Sequence, residues 1–280
     1  MVSIVVVGSL NFDVSVRVAR PPRAGETVLA STARAGPGGK GANQAVAAAR
    51  LGAQVAMVGC VGDDPFGRAL VENLDREGVD TSGVRVVHKT TGIALITVDA
   101  TGENTIIVAP GANSVRFDVP YFSDADAVLT QGESEPAVIA GALDAARLGI
   151  LNAAPATDDV VSLAPRADVV IANESEAARL SPTDALTVVT LGSRGAVATR
   201  REEQWEVPAP TVAVVDTVGA GDAFCAAFAV ALAEGAEVGD ALRFAVAAGA
   251  LAVTKPGAAE AMPRRAEVEK LLGRDRFTRP

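Results

Sequence analysis

The sequence has few of the residues that build metal sites and disulfides. It contains one histidine, His88, and two cysteines, Cys60 and Cys225. A multi-histidine zinc site or a Ser-His-Asp triad would depend on that single histidine, which we interpret instead as a polar residue near a strand end. Both cysteines lie inside apolar runs, where a thiol usually behaves as a small buried hydrophobe. We therefore expect no disulfide framework.

Positive charge and long hydrophobic runs are also scarce. The chain has 25 Lys and Arg against 34 Asp and Glu, a formal net charge of −9. Nucleic acids are held by clustered basic side chains, so this balance argues against a nucleic-acid partner. The opening MVSIVVVGSL has no basic leader, and its apolar run is too short for a secretion signal or a membrane span. These features predict a cytoplasmic protein that binds no membrane.

What the chain does have is ample apolar material arranged in an alternating order. Hydrophobic residues make up 49% of its 280 residues, enough for one large core. Short β-branched runs near Ile4, Val55, Ala127, Val169 and Leu186 alternate with alanine-rich stretches. The latter predict helices over 42–50, 65–77, 137–148, 222–234 and 240–253. This order is typical of a mostly parallel sheet covered by helices on both faces.

Two pairs of segments interrupt that order. The stretches at Val14, Val28, Ile93 and Thr105 alternate polar and apolar residues, which predicts strands of a small antiparallel sheet with one wet face. Extra sheets of this kind usually cover the ligand crevice at the carboxyl ends of the main strands. We expect a lid formed by about 14–36 and 90–110, within a single α/β domain spanning 1–280.

The segment VDTVGAGDAF, from Val215 to Phe224, runs from a glycine loop directly into an apolar helix. Gly219 and Gly221 allow successive backbone N–H groups to point at one spot, at the positive end of the helix dipole. Such a spot suits an anion. Taken alone, Asp222 would be interpreted as a residue that caps the helix or complements its dipole.

A second glycine cluster, GGKGANQ, runs from Gly38 to Gln44. Its glycines allow close approach of the backbone to a ligand, while Lys40 and Asn43 provide a cation and an amide suited to sugar hydroxyls. A tight turn before a helix is the alternative for this stretch alone. The spacing of a P-loop is absent, and no G-x-G-x-x-G follows the first strand, which disfavours a Rossmann dehydrogenase.

Together, GGKGANQAVAAARLGA and DTVGAGDAF resemble the ribokinase-like sugar kinases of the PfkB family. Further matches follow in order: GSLNFD at Gly8, RAGETV at Arg23, VGDDPFG at Val61, GAN at Gly111, QGES at Gln131, NAAPA at Asn152, NESEA at Asn173 and TLGSRG at Thr190. The resemblance extends from about Ile4 to about Leu272. It implies a three-layer α/β/α domain with a mostly parallel central sheet and a small antiparallel β lid.

The resemblance implies a role for each matching residue. Asp222 would be the general base, and the amides of Gly219, Ala220 and Gly221 would form an anion hole. The sugar would be bound by Asn11, Asp13, Gly39, Lys40, Gly41, Asn43 and Glu133. The nucleotide would lie along Asn173, Thr190, Gly192, Ser193 and Gly195. Glu176 would hold Mg²⁺ through water, and K⁺ would be held by Asp216, Val218, Ala252, Lys255 and Gly257.

The implied reaction is transfer of a phosphoryl group from ATP to the 5-hydroxyl of D-ribose, and Asn11 favours ribose over 2-deoxyribose. Two alternatives stay open: a kinase for deoxyribose, another sugar or a nucleoside, and a sugar- or nucleotide-binding protein without catalysis. Exposed edges of the lid sheet, together with the resemblance, predict a homodimer through the lid.

The sequence departs from the family pattern at three places, one of which is Val246, where relatives often carry a polar residue near adenine. Ala261 stands where the family commonly has a serine that completes the K⁺ cage, so we expect weaker K⁺ activation. Only residues 181–185 separate a helix from the strand at Leu186, where the family normally inserts another helix. We expect one face of that strand to be uncovered, with an apolar patch that would lower stability or require a partner.

Overall fold

The structure is a computed structural model that describes residues 1–101, 103–120, 122 and 124–275. Its strands are, in chain order, β1 (Ser3–Val7), β2 (Asn11–Arg17), β3 (Thr32–Gly38), β4 (Gln54–Gly62), β5 (Asp80–Val87), β6 (Gly92–Val98), β7 (Asn104–Ala109), β8 (Ala127–Gln131), β9 (Gly149–Asn152), β10 (Val169–Asn173), β11 (Leu186–Thr190), β12 (Ala196–Arg200) and β13 (Glu203–Val207). Its helices are α1 (Lys40–Arg50), α2 (Pro65–Arg76), α3 (Pro136–Asp144), α4 (Asp158–Leu163), α5 (Glu174–Ala177), α6 (Ala220–Ala233), α7 (Val238–Ala252) and α8 (Arg265–Asp275).

The main sheet has nine strands in the order β13-β12-β11-β10-β9-β8-β1-β4-β5. All neighbours from β11 to β5 pair in parallel, and β12 and β13 add an antiparallel edge. Helices α1, α2, α6, α7 and α8 pack on one face, while α3 and α4 pack on the other. The predicted three-layer α/β/α architecture is confirmed.

The central strands of the sheet are apolar because both of their faces are covered. In β1, Ile4 and Val6 join the core under α1 and α6, whereas Val5 and Val7 join the core under α3. A parallel strand covered on both faces needs apolar residues at every position. Helix α6 is likewise buried from Asp222 to Ala231, as predicted for a central helix, and full burial of a side chain such as Phe228 contributes about 1.5–3 kcal/mol.

The lid is a four-stranded sheet in the order β3-β2-β6-β7. Its outer pairs are antiparallel, but β2 and β6 run parallel, so the sheet is mixed at its centre. The strand predicted near Val28 begins later, at Thr32. Thr32 pairs with Arg17, the last residue of β2, so the residues before Thr32 have no partner on that strand. Asp64 ties the lid to α2, since it caps that helix and also accepts hydrogen bonds from the backbone and side chain of Thr91.

The two faces of the lid differ in surroundings. Ala94 and Ile96 are each 6% exposed and face a cavity above the main sheet. Leu95 and Ile107, which are paired neighbours on the opposite face, are 50% and 65% exposed. The predicted wet face therefore carries large apolar side chains.

The short connection at residues 181–185 does not have the effect expected from the sequence. No exposed large apolar side chain in the described ranges lies on β11. Val189 of this strand is half-buried, and Leu180 and Ala185 pack with α3 and α4 in a small apolar cluster. The expected apolar patch on β11 is thus not found among the described residues, since Leu186 and Val188 are buried in the core and Val189 is half-buried.

The remaining sequence predictions concern isolated residues. His88 follows β5 and is exposed, as expected for a polar residue at a strand end. Cys60 and Cys225 are buried and unpaired. Among the helices of the described part of the chain, none is both long enough and apolar enough to cross a membrane.

Candidate active site

A cavity of about 470 Å³ lies between the lid and the carboxyl ends of the parallel strands. It is where loops after several strands converge, as is usual for ligand sites in open α/β sheets. Thirteen of the predicted site residues border it: Asn11, Asp13, Gly39, Lys40, Asn43, Glu133, Asn173, Glu176, Thr190, Val218, Gly219, Gly221 and Asp222. Members of the expected sugar, nucleotide and catalytic sets therefore border one cavity, whereas Gly41, Ala220, Gly192, Ser193 and Gly195 do not.

The amino terminus of α6 forms the floor of this cavity. Gly219 caps the helix in the left-handed conformation, with φ of 79°, and a Cβ there would lie 3.0 Å from Met262 Cε. The left-handed φ therefore favours glycine, and a side chain would also be crowded by Met262 and Ala258. The amides of Gly219 and Gly221 have no acceptor in the described part of the chain, whereas the Ala220 amide contacts the Thr217 carbonyl at 3.4 Å. First-turn amides of this kind can bind an anion.

Asp222 does not cap its own helix. Its Oδ2 accepts a hydrogen bond from Asn43 Nδ2 at 2.9 Å, and its Oδ1 accepts one from Gln44 Nε2 at 3.0 Å. The carboxylate is therefore oriented by α1 and is only 7% exposed. Burial raises the pKa of Asp222, while Lys40 and the two amides oppose that rise. A buried carboxylate with a raised pKa in a cleft is a candidate general base.

The amino terminus of α1 provides the positive charge. Lys40 Nζ lies 3.8 Å from Glu133 Oε1, and the Lys40 backbone amide donates to Glu133 Oε2 at 3.2 Å. Burial alone would lower the pKa of Lys40, but the carboxylates of Asp222, Glu133 and Glu176 outweigh it and raise that pKa. The ammonium group is therefore charged at neutral pH.

Two glycines of this segment have separate roles. A Cβ at Gly39, whose φ is 89°, would lie 2.6 Å from the Asn11 amide nitrogen, so glycine lets α1 begin against the β1–β2 connection. Gly41 was expected to bind sugar, but it does not border the cavity. A Cβ there would lie 2.6 Å from the Ser9 amide nitrogen. Its small size serves the packing of α1 beneath the site.

Glu133, Asn11 and Asp13 form the wall opposite α6. The Ser9 hydroxyl donates to Glu133 Oε2 at 2.6 Å, and Asn11 Oδ1 accepts from Asn113 Nδ2 at 2.8 Å. Burial, followed by the charges of Glu133 and Asp222, raises the pKa of Asp13 to about 7. Carboxylates and amides arranged in this way suit adjacent hydroxyl groups.

The predicted nucleotide residues are divided between the cavity and its rim. Asn173 caps α5, and Glu176 Oε2 accepts from the Asn173 amide in a reciprocal capping box. Glu176 Oε1 has no hydrogen-bond partner among the described residues, and its carboxylate chemistry fits a water-mediated Mg²⁺. Gly192, Ser193 and Gly195 lie outside the cavity, on the turn after β11.

The predicted K⁺ residues lie on the loop before α6, at the end of α7 and on the loop after it, and a hydrogen bond between Gly257 and Asp216 joins the two loops. Asp216 Oδ1 accepts from the Val218 amide at 3.1 Å, and its Oδ2 accepts from the Gly257 amide at 3.0 Å. The Ala252 carbonyl contacts the Lys255 amide at 3.4 Å. Carbonyl and carboxylate oxygens suit a hard monovalent cation, so the donor set fits K⁺. Ala261 is fully buried nearby and contributes only a methyl group.

The sequence interpretation did not identify three buried amides as part of the site. Gln44, Gln131 and Asn152 are 0%, 0% and 7% exposed and lie behind Asp222. Each lies in one of the motifs GGKGANQ, QGES and NAAPA. The sequence feature that could have identified them is a polar residue in an otherwise apolar helix or strand. The lid residues Ile96, Asn104 and Ile106 also border the cavity and were not predicted.

Known proteins resemble this chain along almost its whole length. Ribokinase of Bacillus subtilis is 41% identical over 293 aligned residues, covering 97% of this chain and 100% of the relative. Deoxyribokinase of Salmonella typhi is 34% identical over 93% of this chain and 95% of its own. The structure of Arabidopsis thaliana ribokinase complexed with ribose and ATP superposes with a TM-score of 0.84 and 34% identity, covering 97% and 99% of the two chains.

The match therefore includes both the sheet architecture and the segments that form the cavity. Residues 1–265 match the description "pfkB family carbohydrate kinase", so the match includes both glycine motifs and Asp222. The chain belongs to the pfkB family of carbohydrate kinases.

Proposed function

We propose that the protein transfers the terminal phosphoryl group of ATP to the 5-hydroxyl of D-ribose, giving ribose 5-phosphate. The observation that carries the proposal is that the Asp222 carboxylate, the amino terminus of α6 and Lys40 share one cavity with the Asn43 amide. Phosphoryl transfer depends mainly on positioning and on electrostatic stabilisation. This arrangement supplies both.

In this proposal Asp222 accepts the proton of the sugar's primary hydroxyl as that oxygen attacks phosphorus. The amides of Gly219, Ala220 and Gly221 stabilise the negative charge on the transferring group, and the α6 dipole adds to their effect. Gly219 and Gly221 are better placed than Ala220, because both border the cavity and neither amide has an acceptor among the described residues. Lys40 contributes a positive charge on the same side.

Four polar side chains would hold the sugar: Asn11, Asp13, Asn43 and Glu133. Asn43 Nδ2 donates one hydrogen bond to Asp222 Oδ2, and the buried Asn43 Oδ1 has no partner in the described ranges. A buried acceptor without a partner is costly, and a sugar hydroxyl would satisfy it. Asp13 and Glu133 are acceptors for further hydroxyls. This supports a polyol ligand in preference to an apolar one.

Ribose is proposed over 2-deoxyribose because of Asn11. Its side chain is held between Asn113 and Glu133 and borders the cavity, where an amide could pair with the hydroxyl that deoxyribose lacks. A site built around such a hydroxyl discriminates strongly against the analogue without it. The Bacillus subtilis relative, named ribokinase, supports this choice, while the Salmonella typhi relative keeps deoxyribose as the alternative.

We propose Glu176 and Asn173 as the residues that organise Mg²⁺ through water, and Asp216, Val218, Ala252, Lys255 and Gly257 as the K⁺ site. When bound with ATP, Mg²⁺ neutralises charge on the phosphate oxygens. Thr190, Gly192, Ser193 and Gly195 would lie beside the nucleotide at the rim. The hydrogen bonds of Asp216 to the Val218 and Gly257 amides hold the loops of the proposed K⁺ site next to the start of α6.

We also propose that two copies pair through their lids and that the protein works in the cytoplasm, where ATP is available. The apolar face with Leu95 and Ile107 supports the pairing, because exposed apolar patches commonly mark interfaces. Two unpaired buried cysteines are compatible with a reducing compartment.

A coupled assay of ATP consumption tests the reaction. It should be run over ribose, 2-deoxyribose, other sugars and nucleosides, and the position of the phosphate on the product should be assigned by NMR. We expect strict dependence on ribose and a 5-phosphate product. ATP consumption that is faster with deoxyribose would select the alternative kinase, and sugar binding without ATP consumption would select the non-catalytic alternative.

A further inference from the structure

A line of buried amides runs behind the proposed base. Gln131 Nε2 donates to Gln44 Oε1 at 2.8 Å. Gln44 Nε2 in turn donates to Asp222 Oδ1 at 3.0 Å and to Asn152 Oδ1 at 3.1 Å. Asn152 Nδ2 then donates to the Ile171 carbonyl at 3.2 Å. The four side chains come from α1, β8, β9 and α6, so the line joins the central strands to the active site.

Gln44 cannot act on the substrate directly. It is fully buried and does not border the cavity, whereas Asn43 and Asp222 do. Its contact with the reaction is therefore made through the Asp222 carboxylate. Asn43 holds one carboxylate oxygen from the cavity side, and Gln44 holds the other from the core side.

The neighbours of Gln44 permit only one orientation of its amide. A flipped amide would direct its oxygen at two acceptors, Asp222 Oδ1 and Asn152 Oδ1, and its nitrogen at the donor Gln131 Nε2. All three hydrogen bonds would then be lost. Gln131 and Asn152 thus fix a donor against the carboxylate.

Burying these amide groups lowers the stability of the fold unless their hydrogen bonds are complete. Gln131 Oε1 still has no partner among the described residues. The adjacent helix positions Ala45 and Val46 fill the same core with apolar side chains. Packing alone therefore gives no reason for glutamine at position 44.

We propose that Gln44 is a positioning residue that fixes the Asp222 carboxylate toward the sugar hydroxyl and keeps it ionised. This inference rests on the proposed role of Asp222 as the base. The charged and titratable groups around that carboxylate are Lys40 of α1, Asp13 of β2, Glu133 after β8, Cys225 of α6 and, beyond Lys40, Glu176 of α5. Lys40 stabilises the charge, and the acidic groups oppose it.

The test compares Gln44→Met with Val46→Ala. Methionine keeps the length of the side chain but has no donor, and Val46 is a fully buried residue of the same helix without polar contacts. Turnover should be measured against pH at saturating sugar and ATP, so that sugar binding by Asp13 does not dominate the profile. Thermal unfolding reports whether both variants fold.

For Gln44→Met we expect the acidic limb of the kcat profile to move up by about one pH unit, because a donor to the charged form is lost. At the pH optimum, kcat should fall on the order of 10-fold through misplacement of the base, while KM for the sugar stays within about twofold. Val46→Ala should keep the wild-type midpoint. An unmoved limb in folded Gln44→Met overturns the proposal.

Two further variants separate the possible failures. Gln131→Met leaves Asp222 untouched but frees the Gln44 amide to rotate, so we expect a smaller shift in the same direction; if Gln44→Met does not fold, an unmoved limb in Gln131→Met overturns the proposal. Asp222→Asn tests the base itself. Near-normal turnover in that variant would refute the proposed function, whereas an inactive Asp222→Asn with an unmoved limb in Gln44→Met would refute only the role of Gln44.

Discussion

Asp222 and Asn43 are 179 positions apart in the chain, yet Asn43 Nδ2 lies 2.9 Å from Asp222 Oδ2. Each residue stands in the first turn of a helix, α6 and α1 respectively. Because α1 and α6 pack directly against each other, the proposed base and the proposed sugar-binding amide are held in a fixed relation. The two glycine motifs of the sequence thereby form a single site.

Asp222→Asn should lower kcat by about 100-fold or more, the usual scale for loss of a general base. The amide can still pair with neighbouring residues, so we expect cooperative unfolding to persist. The coupled assay and a thermal melt measure the two effects. Asp240→Asn is the matched control, since Asp240 lies in the first turn of α7 but is exposed, and its turnover should equal that of the wild type.

At pH 8, above the pKa of about 7, Asp13→Asn should raise KM for the sugar by about 10-fold or more, because hydrogen bonds to a charged acceptor are among the stronger ones. It should also stabilise the fold at neutral pH. With a pKa raised from 3.8 to about 7, folded Asp13 retains its proton where the unfolded chain has lost it. Wild-type stability therefore falls as pH rises through this window.

The check on Asp13 is the difference in Tm between the variant and the wild type. That difference should be larger at pH 8 than at pH 4, because at pH 4 the unfolded carboxyl, with its ordinary pKa of 3.8, has only begun to lose its proton and little of the penalty has developed. A difference in Tm that does not change with pH would show that Asp13 does not titrate near neutrality.

K⁺ should activate the enzyme only modestly, because Ala261 has no hydroxyl to offer as a ligand. Ala261→Ser should increase the ratio of kcat in K⁺ to kcat in a large organic cation at equal ionic strength. Ala259→Ser, a buried alanine two positions away, is the control and should leave this ratio unchanged. Identical rates in both salts, for the wild type and for Ala261→Ser, would mean that no K⁺ site operates.

Leu95→Glu combined with Ile107→Glu should convert a lid-paired dimer into monomers. The two side chains are neighbours on one exposed face, and burying two carboxylates in an apolar interface is costly. Sedimentation at micromolar concentration measures the mass. Val86→Glu, on an exposed position of β5 in the main sheet, should leave the dimer intact; a wild-type protein that sediments as a monomer would contradict the pairing.

Patterns with strong local physics could be predicted from the sequence. The doubly covered strands β1, β8 and β10 consist mainly of apolar residues, and helices α1 and α2 end two residues before Gly52 and Gly78, both of which have positive φ. Strand β5 was not predicted, because it lies at the sheet edge and only Val84 of its valines packs against the core. Its polar sequence is that of an edge strand.

The residues of the candidate site also differ in whether a local sequence pattern could identify them. Residues within one motif, such as Lys40 and Asn43, could be predicted as partners because the chain itself places them together. The bond between Gln44 and Asp222, and that between Ser9 and Glu133, join segments far apart in sequence. Such contacts depend on how the layers pack, which no local pattern specifies.

Asn11 is both the first residue of lid strand β2 and part of the cavity wall, and Gly38 ends strand β3 one residue before Gly39 of the same wall. The lid therefore has no long tether between itself and the ligand. A tilt of strand β2 would move Asn11 as well, so we expect the position of the lid to change when sugar binds at Asn11. A fluorophore on the lid away from Leu95 and Ile107 should therefore report sugar binding before ATP is added.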